Sequence, residues 1–204
     1  KNDRLAQGKP VYNFTVGTPD FKPDESVMKV VSDAALDPEN YKYSLGDTDE
    51  LLVAVCKWYK RRYNTVITPD EVTSVFGTQE GMAHIALALC NPGDLCLVPN
   101  PGYPIFEIGP FLCDAQIAYY NLLPENDYLI DFDSINEDTA KRAKMMVVSY
   151  PLNPVCATAP DEFYDKLIAF AKKYNIIIIH DNAYSEIIYD SVSYTHLTLP
   201  TIRL

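Results

Sequence analysis

The sequence predicts an α/β domain with a mostly parallel sheet and flanking helices, preceded by an N-terminal arm. Three observations carry this reading. Five short β-like runs, at residues 72–76, 95–98, 116–120, 145–149 and 176–180, are separated by segments long enough to contain helices, so strand and helix alternate. The run Ile176-Ile177-Ile178-Ile179 is apolar without alternation, which predicts a strand buried on both faces. Pro160 to Tyr174 places Phe163, Leu167, Phe170, Ala171 and Tyr174 on one face, the spacing of an amphipathic helix.

Taken in order, Tyr12 to Val16 reads as a strand or arm feeding the turn Gly17-Thr18-Pro19-Asp20. From Asp24, Val27, Val30, Val31, Ala34 and Ala35 recur at helical spacing until Pro38 stops the pattern. After a loop rich in Tyr, Asp and Gly, a second helix has Thr48 or Asp49 as its N-cap. Leu51, Leu52, Val55, Trp58 and Tyr59 form its apolar stripe, and Arg61-Arg62 occupy its last turn. Both helices read as structural. The remainder is the alternating region, with no internal repeat and no low-complexity segment.

Composition narrows the function classes. The chain has 204 residues, 48% hydrophobic and 22% charged, the balance of an ordinary globular domain. A formal charge of −11 would repel phosphate backbones and anionic headgroups, which argues against nucleic-acid and membrane partners. The longest apolar runs fall far short of the ~20 residues that span a bilayer, so a cytoplasmic protein is expected. Cys56, Cys90, Cys96, Cys113 and Cys156 form no CxxC pair and are expected to be reduced and buried. His84, His180 and His196 show no metal-ligand spacing, so no metal site is expected.

In an open parallel sheet, ligands bind beyond the carboxyl ends of the strands, and the unusual residues gather there. Gly77-Thr78-Gln79-Glu80-Gly81 precedes a helix from Met82 to Leu89; it is either a phosphate cradle or a plain turn capped by Thr78. Pro101-Gly102-Tyr103-Pro104 holds an aromatic ring that either stacks on a flat ligand or packs over the sheet edge. Asn153, bracketed by prolines, is either an amide donor to a ligand or a turn former. Asp181 leaves an apolar strand, where a carboxylate needs a positive or donor partner; its alternative is the N-cap of a following helix. His84 reads as a helix-packing residue. The Tyr41-Lys42-Tyr43-Ser44-Leu45-Gly46 loop is either exposed turn chemistry or a phenol supplied to a site.

Phosphate cradle, aromatic plate, amide donor and buried carboxylate together suit a phosphorylated aromatic cation, which describes pyridoxal 5'-phosphate. Asp181 would hold the proton on the pyridine nitrogen, while Asn153 and Tyr184 would hydrogen-bond the phenolic oxygen.

At this point the chain resembles the class I/II aminotransferases of the fold-type I pyridoxal-phosphate enzymes, over about residues 3–190. The resemblance rests on Val16-Gly17-Thr18-Pro19-Asp20-Phe21, Gly77-Thr78-Gln79-Glu80-Gly81, Asn91-Pro92-Gly93-Asp94, Pro101-Gly102-Tyr103-Pro104, Asn153-Pro154 and Asp181-Asn182-Ala183-Tyr184. Trp58-Tyr59-Lys60-Arg61-Arg62 and the run from Gly81 to Pro104 look most like aspartate/alanine-type and LL-diaminopimelate aminotransferase-like bacterial proteins. The resemblance implies Gly17 as backbone contact for the substrate α-carboxylate and Thr78 and Gln79 on the phosphate side. It also implies Tyr103 stacked on the ring, and Tyr41 or Tyr43 reaching the phosphate of a neighbouring subunit in a homodimer. Amino acid and 2-oxo acid are the implied substrates.

Departures from the family pattern are as informative. Its Asn-Pro-Thr-Gly becomes Asn153-Pro154-Val155-Cys156, which keeps the asparagine and loses the small flexible residue. The family's Schiff-base lysine lies beyond the Asp-x-x-Tyr motif, whereas the last lysine here is Lys173, so no catalytic residue is assigned and the chain alone is expected to be inactive. Ser191 to Leu204 resembles translated adapter read-through, the alternative being a real edge strand with alternating Tyr194, Leu197 and Leu199. Residue 1 is Lys, and 204 residues is not expected to be a natural length. The expected organisation is an arm with part of a small domain over 1–47, an incomplete cofactor-binding large domain over 48–190, and a non-native tail over 191–204. The expected function is an aminotransferase. The alternatives are a pyridoxal-phosphate C–S lyase or decarboxylase of the same fold, and a non-catalytic binding module for pyridoxal phosphate or another phosphate.

Overall fold

A computed structural model describes residues 1–12 and 21–188 of the chain, so the readings at Gly17 and at residues 191–204 lie outside the described residues. The described residues fall into two compact units that divide between Gly46 and Asp47.

The first unit contains the short helix α1 (Asn2–Ala6), helix α2 (Glu25–Ala35) and a 3-10 turn at Pro38–Tyr41. Asp24 starts α2 as expected: its carboxylate accepts the Ser26 N–H at 2.9 Å. The apolar spacing is helical, yet Val27, Val30 and Val31 stay 55%, 67% and 64% exposed, and none of the unit's described residues is buried.

The second unit begins with α3 (Asp49–Tyr63), whose N-cap is Thr48; its hydroxyl accepts the Leu51 N–H at 3.3 Å. Asn64 ends the helix at φ 52°, a left-handed conformation that asparagine tolerates. The expected strand at 72–76 is absent. That segment is extended but has no ladder: the Ser74 N–H donates to the Asp47 carboxylate at 2.8 Å and the Phe76 N–H to Glu80 at 2.6 Å. Its apolar side chains Val75 and Phe76 are exposed, since no neighbouring strand covers them among the described residues.

Helix α4 (Thr78–Leu89) starts four residues earlier than the sequence suggested, at an N-cap Gly77 whose φ of 88° suits glycine. Thr78 is therefore the first helical residue and not the cap. The alternation then runs through β1 (Leu95–Asn100), α5 (Ile105–Leu112), β2 (Gln116–Asn121) and α6 (Glu137–Arg142) to β3 (Ala143–Ser149), α7 (Asp161–Tyr174) and β4 (Ile177–Asp181). All pairings are parallel and the sheet order is β2-β1-β3-β4.

That order places β1 and β3 in the middle, and they supply the core: Leu97, Val98, Met146 and Val148 have no exposed surface. Leu167 of α7 is likewise fully buried, with Phe163, Phe170 and Ala171 beside it, as the helical spacing required. The expectation that the isoleucine run is buried on both faces is corrected. Ile176 is buried, but Ile177 to Ile179 are half-buried, because β4 pairs only with β3 among the described residues and so has one open side. The continuous burial predicted there belongs to the central strands.

Three thiols, Cys90, Cys96 and Cys113, are buried; Cys56 is half-buried and Cys156 exposed, which corrects the expectation of five buried thiols. Cys156 sits outside the core in the loop after β3, where its neighbours leave it open to solvent. Among the described residues no helix is long and apolar enough to cross a membrane. No group of three or more His, Cys, Asp or Glu side chains among them could hold a metal ion.

Candidate functional site

The chain leaves β1 toward β2 on one side and later enters β3 on the other, so a crevice opens at the carboxyl ends of these two central strands. The cleft lies there. Thr78, Gln79, Tyr103, Asn153, Asp181 and Tyr184, all singled out from the sequence, line it together. Its cavity volume is about 120 Å³, against the ~300 Å³ at which a pocket encloses a drug-sized ligand, so it seats one face of a ligand without surrounding it.

One wall is the N-terminus of α4. The Glu80 carboxylate accepts the Phe76 N–H, and Asp47 accepts both the N–H and the hydroxyl of Ser74. These bonds fix the segment that delivers Gly77 and Thr78. The first-turn N–H groups of an α-helix lack intrahelical partners and carry partial positive charge, so this wall suits an anion. Close packing holds α4 in place: a Cβ on Gly109 of α5 would lie 2.6 Å from the Met82 carbonyl oxygen, so only glycine permits this approach.

The second wall is aromatic. Tyr103 follows β1, and its hydroxyl accepts a hydrogen bond from Gln79 Nε2 at 3.0 Å, which ties the ring to the first turn of α4. Phe106 meets the Tyr103 ring edge-on at 6.3 Å between centroids. Asn153 comes from the loop after β3, between Tyr150-Pro151 and Pro154.

The third wall follows β4. Asp181 ends that strand and does not cap a helix; the residues after it form turns. Burial raises its carboxyl above the ordinary carboxylate value, opposed in part by the Ala183 N–H that donates to it. A desolvated carboxylate with one neutral donor favours a cationic partner. His180 precedes it, and burial pushes its imidazole down to about 4, so the ring is neutral at neutral pH. Its Nε2 and the Asn182 Oδ1 are buried without a hydrogen-bond partner among the described residues.

Sequence reasoning missed Ser149, a buried side chain at the end of β3 that lines the cleft and whose hydroxyl donates to the Pro151 carbonyl at 3.3 Å. Its position at the carboxyl end of a central strand was the available signal. Met82, Ile105 and Phe106 supply apolar lining and were also missed. His84, expected to pack, is exposed on α4, since the buried stripe of that helix passes through Ala86. Tyr41 and Tyr43 belong to the first unit, where they are 73% and 91% exposed and the Tyr41 hydroxyl donates to the Ala35 carbonyl at 2.7 Å. Lys173, the last lysine, lies in the final turn of α7 with its ammonium over the Tyr174 ring and does not line the cleft.

Comparison with known proteins gives one consistent picture. The chain is 41% identical over 188 residues to an LL-diaminopimelate aminotransferase of Syntrophobacter fumaroxidans, covering 91% of this chain and 48% of the relative. It is 43% identical over 189 residues to one of Aquifex aeolicus, covering 92% and 49%. Among solved structures, a probable N-succinyldiaminopimelate aminotransferase from Thermus thermophilus superposes with a TM-score of 0.86 at 30% identity, covering 93% of this chain and 52% of that one. An alanine aminotransferase from Pyrococcus furiosus also reaches 0.86, at 28% identity, over 97% and 50%. The chain thus spans about half the length of the curated relatives it matches. The family model for aminotransferase class I and II matches residues 9–202, nearly the whole chain, and the chain belongs to that family.

Proposed function

We propose that this chain carries the cofactor cleft of a pyridoxal-phosphate aminotransferase that moves an amino group between an amino acid and a 2-oxo acid. Class I and II aminotransferases use pyridoxal 5'-phosphate. The observation that carries the reading is the cleft itself: a helix N-terminus and a half-buried carboxylate form two of its walls, with an aromatic ring on a third. A ligand with a phosphate, a flat ring and a protonated ring nitrogen matches that polarity. When bound, the cofactor supplies an aldehyde that accepts the amino group and a ring that stores an electron pair.

In this reading the chain's own residues bind and orient. The α4 N–H groups, Thr78 and Gln79 hold the phosphate, and Tyr103 covers the ring. Asn153 and Tyr184 hydrogen-bond the phenolic oxygen. Asp181 keeps the proton on the ring nitrogen, an ion pair that relieves the cost of its own burial. Gly17 contacts the substrate carboxylate through its backbone. A homodimer brings Tyr41 or Tyr43 to the partner's phosphate. The domain division at 47/48, the tail beginning at 191 and a cytoplasmic location belong to the same proposal. LL-diaminopimelate is the amino donor proposed, on the strength of relatives 41% and 43% identical.

The test is product analysis of the full-length protein that carries this chain, with LL-diaminopimelate, aspartate, alanine or glutamate. Amino transfer that requires a 2-oxo acid acceptor is expected. Pyruvate and ammonia released without acceptor would place the protein among the lyases, and carbon dioxide release among the decarboxylases. Binding without turnover of any of these would leave a non-catalytic module.

A further inference from the structure

The segment 181–187 that delivers Asp181 and Tyr184 to the cleft is anchored at both ends. At its start, β4 carries Asp181, whose carboxylate accepts the Ala183 N–H. At its far end it meets the last turn of α3, more than a hundred residues away in sequence. Glu186 Oε1 accepts a hydrogen bond from the Tyr63 hydroxyl at 3.2 Å and from Arg62 Nε at 3.0 Å. The Ser185 side chain, 6% exposed, hydrogen-bonds the same Tyr63 hydroxyl. Tyr63 is 7% exposed and is the one buried residue of α3, held by edge-on contacts with Trp58 and Tyr59 at 5.1 and 5.4 Å. Within the segment the Ile187 N–H donates to the Tyr184 carbonyl at 3.0 Å, closing a turn around the anchored residues.

We propose that Tyr63, with Arg62, acts as a positioning clamp for Tyr184: by gripping Ser185 and Glu186 it sets where the Tyr184 phenol stands in the cleft. The proposal rests on the cofactor reading above. Tyr63 carries most of the effect because its hydroxyl is sheltered, whereas Arg62 and Glu186 are 37% and 50% exposed and their ion pair is screened by solvent. No residue of the clamp lines the cleft, so it acts only through the segment it holds.

The test uses pyridoxamine 5'-phosphate, which has no aldehyde and binds without a covalent bond, in equilibrium dialysis against the cofactor-free full-length protein that carries this chain. Tyr63→Phe and Glu186→Ala, each of which removes the Tyr63–Glu186 hydrogen bond, are each expected to weaken binding about three- to tenfold, and Tyr184→Phe to weaken it comparably. The discriminating result is the double variant. If the clamp works through the phenol, Tyr63→Phe adds nothing in a Tyr184→Phe background. An equal loss in both backgrounds would reduce Tyr63 and Glu186 to scaffold, and unchanged affinity in the single variants would overturn the clamp outright. Binding that weakens in Asp181→Asn but not in the clamp variants keeps the cofactor reading and rejects the clamp. No binding by the wild-type full-length protein rejects both. Amide exchange in the ligand-free chain gives an independent readout: Tyr63→Phe is expected to accelerate exchange over residues 182–188 while the β1–β3 amides stay protected, and uniform acceleration would contradict the proposal.

Discussion

Replacing Asp181 with asparagine separates what the carboxylate does for a ligand from what it costs the fold. The side chains are nearly isosteric, and the asparagine oxygen still accepts the Ala183 N–H, so the change removes charge and little else. A hydrogen bond to a charged group contributes about 1.5–3 kcal/mol, roughly twice a neutral one. Asp181 is half-buried, which favours the lower half of that range, so losing its charge-assisted part costs about 0.8–1.1 kcal/mol, or about four- to sixfold in affinity. The assay is titration of pyridoxamine 5'-phosphate between pH 5 and 9. Wild-type affinity is expected to fall as pH drops through the raised carboxyl value, while the variant lacks that limb. Equal affinities for the two proteins across this range would refute the pairing of Asp181 with a cationic ring. Stability moves the opposite way. Because burial raises this pKa above its unfolded value of 3.8, the folded chain binds more protons than the unfolded one between the two values, so stability falls as pH rises through that window. Asp181→Asn is therefore expected to raise the melting temperature of the ligand-free chain at pH 7 and to leave it unchanged at pH 3.

Two further predictions concern the scaffold. Leu167→Ala removes three carbons from a fully buried site, about 2.4 kcal/mol of transfer free energy plus a cavity contribution, so a loss near 3 kcal/mol is expected in urea unfolding; a loss under about 1 kcal/mol would contradict the core described. Cys156 adopts φ 57° with an exposed side chain at the position where the family pattern has glycine, so Cys156→Gly is expected to match or exceed wild-type stability by up to about 1 kcal/mol. Cys156→Val should lose about 1–2 kcal/mol, because a β-branched residue resists that conformation, and an unchanged melting temperature for the valine variant would sink the argument.

The sequence by itself determined what depends on near neighbours. Thr48, one of two candidate caps in the sequence, was legible because a capping oxygen bonds an N–H three residues on, and the start of α2 near Asp24 because its apolar residues recur at helical spacing. The stripe Phe163, Leu167, Phe170 and Ala171 fixed the buried face of α7, because helical spacing is a local geometric fact. The cleft-lining residues Tyr103, Asn153 and Asp181 were legible because Tyr103 and Asn153 stand in proline-marked loops after β1 and β3 while Asp181 ends an apolar strand, and parallel strands bring those ends to one side. Tertiary structure alone decided what depends on a partner far along the chain. Residues 72–76 are as apolar as a strand, but a strand exists only where another offers a ladder, and here carboxylates take its N–H groups instead. The isoleucine run has the composition of a central strand and sits at an open side, because burial is set by strand order, which no window of sequence contains. The grip of Tyr63 on Glu186 likewise joins residues more than a hundred positions apart, a contact made by folding and invisible to local pattern.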